Sequence, residues 1–454
     1  MKVALINPPP RHFAEAEYDT PHYPHLGLGY LAAYLRSRNI PCEVMDAKLE
    51  RASFETLLRK LKSGLDLVGI TAMTHEISQA ASVANLIKEE SPATVTVIGG
   101  VHATALPQLT LEQFPGFDIA CAGEGEITFC EICEALEHDK DMCGIGGIAY
   151  RSGKGIVLNE GREFFRNLDD LPFPAWDLFP KARIYPLVTA RGCPFRCNFC
   201  MRVKGNDQRG RSPLNVIQEL SLIAELYPEE VWFCDETFTV DHDRAHGILD
   251  LMISTGLHRK IRWNAQTHAN TVNLKLLEKM KEAGCKLVGV GIESGNREIL
   301  KNTKKGTTLE KAAQAIEFAR KAGLPTEAYF IFGHPYETRE TAQDTIRFAA
   351  RINPTFPVFG VMVPYPGTEI ARIAGEGAGG YTRISSDWDD YNKQLGDALE
   401  LSNLSRKDLK ILQVIGYLTV FLRNFRIMDL LKFAWTYKKE GLSLLKNLLF
   451  HEVT

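Results

Sequence analysis

Ala190-Arg-Gly-Cys-Pro-Phe-Arg-Cys-Asn-Phe-Cys200 holds three cysteines, Cys193, Cys197 and Cys200, at a C-x3-C-x2-C spacing. Thiolates this close on a short loop can converge on one soft metal centre. Three of them leave a four-iron cluster with one iron open to an outside ligand. A tetrahedral zinc site wants a fourth ligand, and no His or Cys follows within the next dozen residues. The plainer readings are a zinc knuckle or a cysteine-rich surface loop. Pro194 stiffens the loop, and Gly192 lets the backbone turn after the apolar run from Tyr185 to Thr189.

Working outward, strand candidates fall at 185–190, 230–235, 261–267, 287–293, 326–332 and 357–363, with helices between them such as Asn215 to Leu226 and Leu309 to Ala322. The cysteine spacing, the aromatic Phe199 before the third cysteine and the preceding strand together resemble the radical S-adenosylmethionine (SAM) superfamily. That resemblance implies a partial (β/α)6 barrel over residues 185–367. It implies a [4Fe–4S] cluster on Cys193, Cys197 and Cys200, which are then both the catalytic and the metal-ligating residues. SAM would chelate the open iron through its amino and carboxylate groups, with Phe199 beside the adenine. By analogy with full barrels, the site lies at the carboxyl ends of the strands. Asp235 and Glu236 stand where the family meets the SAM amino group. Asn264 and Gln266 suit SAM or substrate, and Glu293 with Ser294 suits the ribose hydroxyls. Arg209 and Arg211, as fixed planar cations, are candidates for the SAM carboxylate. Each of these has a plain alternative as a solvated strand end or a structural ion pair.

The N-terminal part alternates in the same way. Strands are expected at 2–7, 42–46, 67–71, 95–98 and 117–120, with helices at Leu26 to Arg38, Phe54 to Leu61 and Ile77 to Glu90. This pitch implies a parallel, doubly wound sheet that binds ligands at the carboxyl ends of its strands. Those ends carry Asn7-Pro8, then Thr71-Ala-Met73-Thr74-His75, Gly99-Gly100-Val101-His102 and Gly123-Glu124-Gly125-Glu126. The set resembles the cobalamin-binding domain attached to many radical SAM proteins, over residues 1–140. The resemblance implies that Thr71, Gly99 and Gly100 line the nucleotide tail. The prolines after the first strand and the loop Met73 to His75 would border the corrin. Asn7, Pro8, Val101, His102, Glu124 and Gly125 complete the candidate cobalamin residues. Gly100→Trp is therefore expected to lose cobalamin and keep the cluster. The string D-x-H-x-x-G, whose His ligates cobalt in other cobalamin domains, does not occur here. Cobalamin is expected to bind with its tail displaced and no strong protein ligand below cobalt, Met73, Thr74, His75 or water being the candidates for that face. The alternative for the whole domain is an empty flavodoxin-like docking module.

Cys130 and Cys133 sit in a helical pattern and read as core residues rather than ligands. Residues 141–184 read as a linker, with a hairpin from Ile145-Gly-Gly-Ile-Ala-Tyr-Arg to Gly155-Ile-Val-Leu and a proline-rich stretch from Asn167 to Trp176. Residues 368–454 read as a helical region. There the apolar run Ile411 to Leu422 precedes a stretch, Arg423 to Phe450, with six basic and two acidic residues. That stretch reads as a helical cap on the barrel, or as a basic amphipathic helix on a membrane or over a lipid-like substrate.

The 454 residues predict two or three domains, and a net charge of −3 from 53 basic and 56 acidic residues gives no argument for a nucleic-acid partner. The N-terminus does not read as a signal peptide, and no apolar run reaches the ~18 residues of a spanning helix. With cluster thiols that must stay reduced, the expected location is the cytoplasm. The fold class is thus α/β, a flavodoxin-like (Rossmann-type) domain followed by a partial barrel and a helical end. Cobalamin together with radical SAM chemistry implies methylation of an unactivated carbon or a phosphinate phosphorus in a small-molecule substrate. It also implies an external electron donor such as flavodoxin or ferredoxin. The layout also resembles the anaerobic tetrapyrrole cyclases, so an oxidative cyclisation without methyl transfer is the second reading. A non-catalytic cobalamin and cluster sensor is the third.

Overall fold

The computed structural model describes residues 1–10, 23–60, 64–392 and 397–438. The chain divides into two compact units, Met1–Pro194 with Met201–Ala265, and Phe195–Cys200 with Gln266–Thr454.

In the first unit a seven-stranded sheet is built from β1 (Val3–Asn7), β2 (Cys42–Asp46), β3 (Leu67–Thr71), β4 (Val95–Gly99), β5 (Ile119–Cys121), β6 (Ile148–Ser152) and β7 (Gly155–Leu158). The order is β2-β1-β3-β4-β5-β6-β7, parallel through β5, with Ile6 beside both Met45 and Ile70. β1 is buried along its whole length, as a strand covered on both faces must be. Gly69 in β3 has a packing reason: a Cβ there would lie 2.7 Å from the ring of Phe129 on the helix Gly125–Glu137. The chain leaves β1 towards β2 on one side and later returns to β3 on the other. The switch point therefore falls between β1 and β3, beside Asn7 and Thr71. The hairpin expected in the linker is instead part of this sheet. β6 pairs antiparallel with β5 and supplies the partners that an edge strand would lack, so the N-terminal module runs past residue 140.

The same unit continues through β8 (Ile184–Leu187), β9 (Ala190–Arg191), β10 (Arg209–Gly210), β11 (Glu230–Phe233) and the first half of β12 (Trp263–His268). β8, β11 and β12 pair in parallel, while β9 and β10 form a short antiparallel ribbon on either side of the cysteine loop. The single strand expected at 185–190 is thus broken after Leu187. The break follows from Thr189, whose backbone N–H donates to the Asp235 carboxylate at 2.6 Å instead of extending the ladder.

In the second unit β13 (Cys285–Glu293), β14 (Thr326–Phe332) and β15 (Phe356–Val361) are parallel neighbours, with a register shift between Gly291 and Glu293. The six long strands follow sequence order, with β8 and β15 at the edges. Helices sit between them, several started by a side-chain cap such as Asn273, Thr308 or Thr338. β16 (Tyr381–Ile384) and β17 (Leu399–Leu401), which the sequence did not announce, pair antiparallel. The helix Arg406–Arg423 then buries Leu409, Leu412, Val420 and Phe421. Its Gly416 allows close approach of the Phe359 ring, which a Cβ would meet at 2.9 Å. Residues 439–450 of the basic stretch lie outside the described residues. Among the described residues no helix is long and apolar enough to cross a membrane.

After β14 the fully buried Glu337 accepts hydrogen bonds from the Gly333 and His334 backbone N–H groups. Burial pushes its pKa from the ordinary 4.5 up to about 8, against the pull of those two donors. The folded state therefore holds this proton more tightly than the unfolded state. The stability it contributes is complete below the unfolded value and is lost as pH rises through about 8. Glu337→Gln keeps an acceptor and cannot titrate. In thermal melts the native protein is expected to lose several degrees more than this variant between about pH 6 and about pH 9. Parallel slopes would refute the assignment.

Candidate active site

The cysteine loop is shaped by local chemistry first. Gly192 has φ +90°, and a Cβ there would run into the Asp207 carbonyl, so only glycine fits the turn before Cys193. The Cys193 backbone N–H donates to the Gly205 carbonyl at 3.3 Å, and its Sγ lies 4.0 Å from Thr237 Oγ1. In the second unit, Asn198 ties the rest of the loop down. Its backbone N–H reaches the Thr303 carbonyl at 3.0 Å, its side-chain amide donates to the Asn302 carbonyl at 2.8 Å, and its carbonyl accepts from Ile370 at 3.1 Å. Phe195 stacks on His268 at the end of β12, with centroids 3.6 Å apart and planes 9° apart. Phe199 meets His334 edge-on at 6.2 Å and packs on the second unit's core.

None of the three cysteines is in a disulfide, and Cys200 is exposed. Among the described residues no three His, Cys, Asp or Glu side chains gather as ligands of one ion.

The ribbon flanking the loop is anchored by buried ion pairs. Arg191 of β9 donates to Glu126 at 2.6 Å and to Glu124 at 3.1 Å, with its guanidinium 5.0 Å over the Tyr30 ring. Arg209 of β10 donates to both Glu124 oxygens, at 2.9 and 3.0 Å, and to the Phe165 and Lys204 carbonyls. Burial raises the pKa of Glu124, but Arg209 and Arg191 outweigh it and hold the carboxylate below its ordinary range. Glu124, a candidate cobalamin contact by sequence, is thus the clasp of the cysteine ribbon. Arg211 is also reassigned. It is buried against Glu219, Asn215 and the Val188 carbonyl, so its fork is already filled and does not wait for the SAM carboxylate. Removing one partner of such a pair costs about 3–5 kcal/mol, which is why these arginines stay where they are.

The end of β11 separates two neighbours that look alike in sequence. Asp235 is buried, accepts from the Thr189 N–H and hydroxyl and the Ala190 N–H, and lies 3.7 Å from Arg244. It holds the β8 turn and is not free for SAM. Glu236 meets Lys204 at 3.0 Å through Oε1, while its buried Oε2 has no hydrogen-bond partner. An unpartnered carboxylate oxygen, on the residue before Thr237, which neighbours the Cys193 thiol, has the chemistry to receive an ammonium group.

Asn264 donates to Glu230, and Gln266 donates to Tyr329 Oη at 3.1 Å. Glu293 has φ +72°, a left-handed backbone that glycine favours and other residues seldom adopt, and its carboxylate pairs with Lys305 at 2.7 Å. Ser294 is buried. Its Oγ lies 3.1 Å from Thr345 Oγ1 and accepts from the Asn296 N–H, so its role is to fix the strand end rather than to touch ribose.

At the cobalamin end, the Asn7 amide donates to Asp46 at 2.8 Å and joins β1 to β2, and Pro8 is buried behind it. Thr71 is half-buried, and Met73 is exposed. Thr74 and His75 begin a single 3-10 turn, with Thr74 buried. His75 Nε2 lies 3.7 Å from Glu76, which Lys48 also holds, and His75 Nδ1 has no hydrogen-bond partner. The two glycines differ. Gly100 has φ +95° and a Cβ there would lie 2.5 Å from the Ala72 carbonyl, so its absent side chain serves the β3–β4 packing. A Cβ on Gly99 would meet nothing within 4 Å, so Gly99 is the glycine that opens a cradle. Val101 and Gly125 start helices, and His102 is buried neutral, its pKa lowered to about 4 by desolvation. Cys130 and Cys133 are buried in their helix, as read from the sequence.

The sequence missed Tyr23, Lys204, Tyr329, Lys305 and the Phe195–His268 stack. Apart from Phe195, inside the cysteine loop, none sits in a motif, and only the fold brings them to their partners. Arg191 was the one with a signal, a basic residue two positions before the first cluster cysteine.

The chain matches the family models described as Radical SAM superfamily, over residues 187–349, and B12 binding domain, over residues 14–133. It is 34% identical over 435 residues to the uncharacterized methyltransferase PH0819 of Pyrococcus horikoshii, covering 93% of each chain. It is 29% identical to the anaerobic magnesium-protoporphyrin IX monomethyl ester cyclase of Cereibacter sphaeroides, over 82% of this chain and 63% of that one. Its fold is similar to that of the radical S-adenosylmethionine methyltransferase TsrM from Kitasatospora setae with cobalamin and [4Fe-4S] cluster bound. The TM-score is 0.73 at 19% identity, covering 87% of this chain and 79% of that chain. The cofactors are a [4Fe–4S] cluster, SAM and cobalamin. With both models matched and a relative of this identity spanning nearly its whole length, the chain belongs to the cobalamin-dependent radical SAM methyltransferase family.

Proposed function

We propose that this enzyme methylates a small-molecule substrate at an unactivated carbon or a phosphinate phosphorus. The observation that carries the reading lies inside the first compact unit, where ends of the cobalamin-domain strands meet the end of β11. The Tyr23 ring centroid is 5.0 Å from that of Trp232 on β11. Burial first, then the nearby Cys234, Glu76 and Asp46, push the Tyr23 pKa up to about 12. Asp46 ends β2, Glu76 follows β3, and Cys234 follows β11.

When bound, the cluster with SAM supplies a hydrogen-abstracting radical, and cobalamin supplies a methyl donor. The chain's own residues hold and shield. Cys193, Cys197 and Cys200 are the cluster ligands, and Glu236 receives the SAM amino group while Lys204 steadies its other oxygen. Neutral Tyr23 and Trp232 form an aromatic wall that keeps water from the reacting centre. Gln266, Tyr329 and Glu293 are the polar groups for SAM or substrate. The electron comes from an external donor of the flavodoxin or ferredoxin kind. Cluster thiols that must stay reduced fit a reducing, cytoplasmic setting.

The test is turnover of the reduced holoenzyme with methyl-labelled SAM and small-molecule extracts of the host. The expected outcome is a product carrying the labelled methyl group. A product formed along with 5′-deoxyadenosine but without label would replace methyl transfer by oxidative ring closure, the reading that the cyclase relative supports.

A further inference from the structure

We propose that the helix Ile427–Thr436, with the turn before it, is a docking element for an anionic membrane surface. It belongs to the second unit and is held there by one side only. Phe433 packs against Tyr417 at 4.5 Å and Phe421 at 5.8 Å between centroids. Arg426 fastens the turn by donating to the Pro354 and Thr355 carbonyls and to Asn353. No residue of the helix is buried.

The outward side is apolar. Leu418 and Leu422 on the helix Arg406–Arg423, Phe425 in the turn, and Met428, Leu431 and Trp435 on the next helix recur every three or four residues and make an apolar stripe on each helix. All six are exposed, Phe425 to 90% and Trp435 to 73%. Large apolar side chains left in water over this length mark an interaction surface. The charges say which kind. Residues 415–438 carry Arg423, Arg426, Lys432 and Lys438 against a single acid, Asp429, and that acid is paired with Arg426 at 2.8 Å. Arg423, Lys432 and Lys438 are exposed beside the stripe, with the Lys438 ammonium 4.3 Å over the Trp435 ring. An apolar stripe edged by cations and carrying an exposed tryptophan suits the acyl–headgroup boundary of an anionic bilayer. A second copy of the chain would set the same cations against each other across a two-fold axis.

The experiment is flotation of the full-length holoenzyme with two vesicle preparations, phosphatidylcholine alone and phosphatidylcholine mixed with phosphatidylglycerol. The protein is expected to float with the anionic vesicles and to be released by salt. Met428→Ser with Trp435→Ser is expected to lower the bound fraction about tenfold on both compositions. Lys432→Glu with Lys438→Glu is expected to remove the preference for anionic lipid. Both variants should form 5′-deoxyadenosine at the native rate without vesicles, which separates this face from the active site. A native protein that stays unfloated with both vesicles overturns the proposal. So does a dimer, seen by light scattering, that Trp435→Ser splits, which would assign the face to a second copy.

Discussion

Replacing Cys193, Cys197 and Cys200 together by Ala is expected to leave no bound iron after anaerobic reconstitution, against about four irons per native chain, and no detectable SAM cleavage. The effect is large because no other groups can take over. The substitution removes all three thiols of the loop at once, so no partial ligand set is left there. The loss can be assigned to the ligands rather than to a collapsed loop. The loop's shape rests on Gly192, on the three hydrogen bonds of Asn198 and on the Phe195–His268 stack, none of which the substitution removes. Iron content and the brown absorbance report binding, and 5′-deoxyadenosine reports cleavage. A triple variant that kept its full iron would sink the assignment.

Gly99→Trp is expected to abolish cobalamin binding while keeping the iron and the melting temperature of the native protein. The direction of the absent side chain decides this. A Cβ at Gly99 enters open space at the carboxyl end of β4, so an indole there fills the cradle without pressing on the protein. The same substitution at Gly100, the position favoured by the sequence, would force a side chain into the Ala72 carbonyl from a backbone at φ +95°. Gly100→Trp should therefore lose stability, with cobalamin loss following from misfolding. Full cobalamin retention by Gly99→Trp would place the nucleotide tail elsewhere. In the same preparations, electron paramagnetic resonance of cob(II)alamin tests the lower face of cobalt. The missing D-x-H-x-x-G predicts no nitrogen splitting, and splitting that disappears in His75→Ala would show that His75, with Nδ1 open, is a ligand after all.

Much of the active site was legible because its chemistry is local. The three cysteines need only eight residues of chain to form a ligand set, and Phe199 and Gly192 lie within the same loop. The strands were legible for a similar reason. Runs such as Val3-Ala-Leu-Ile and Leu67-Val-Gly-Ile are apolar throughout because a parallel strand is covered on both faces, and the pattern does not depend on which helices cover it.

The polar strand ends were less legible. Asp235 and Glu236 are adjacent carboxylates, and nothing in their neighbours in sequence says that one is fully engaged and the other open. Thr189, Ala190 and Arg244 close around Asp235 from 46, 45 and 9 residues away, while Glu236 keeps one oxygen unpartnered. Arg209 and Arg211 looked like free cations for an anionic cofactor. They are pinned by Glu124 and Glu219, and whether a charge is available depends on its partner, which is a long-range fact.

The sequence by itself determined the cluster loop, the two alternating strand arrays and the kind of cofactor each takes. The loop and the arrays follow from the spacing of a few residues and from periodicities along the chain, and the cofactors from the family those residues resemble. Only the tertiary structure decided which carboxylate stays open, which glycine has open space where a side chain would go, and that Glu124 clasps the cysteine ribbon. Each of these turns on the direction of one side chain and on a partner brought from elsewhere in the chain, and burial then makes the pairing costly to undo.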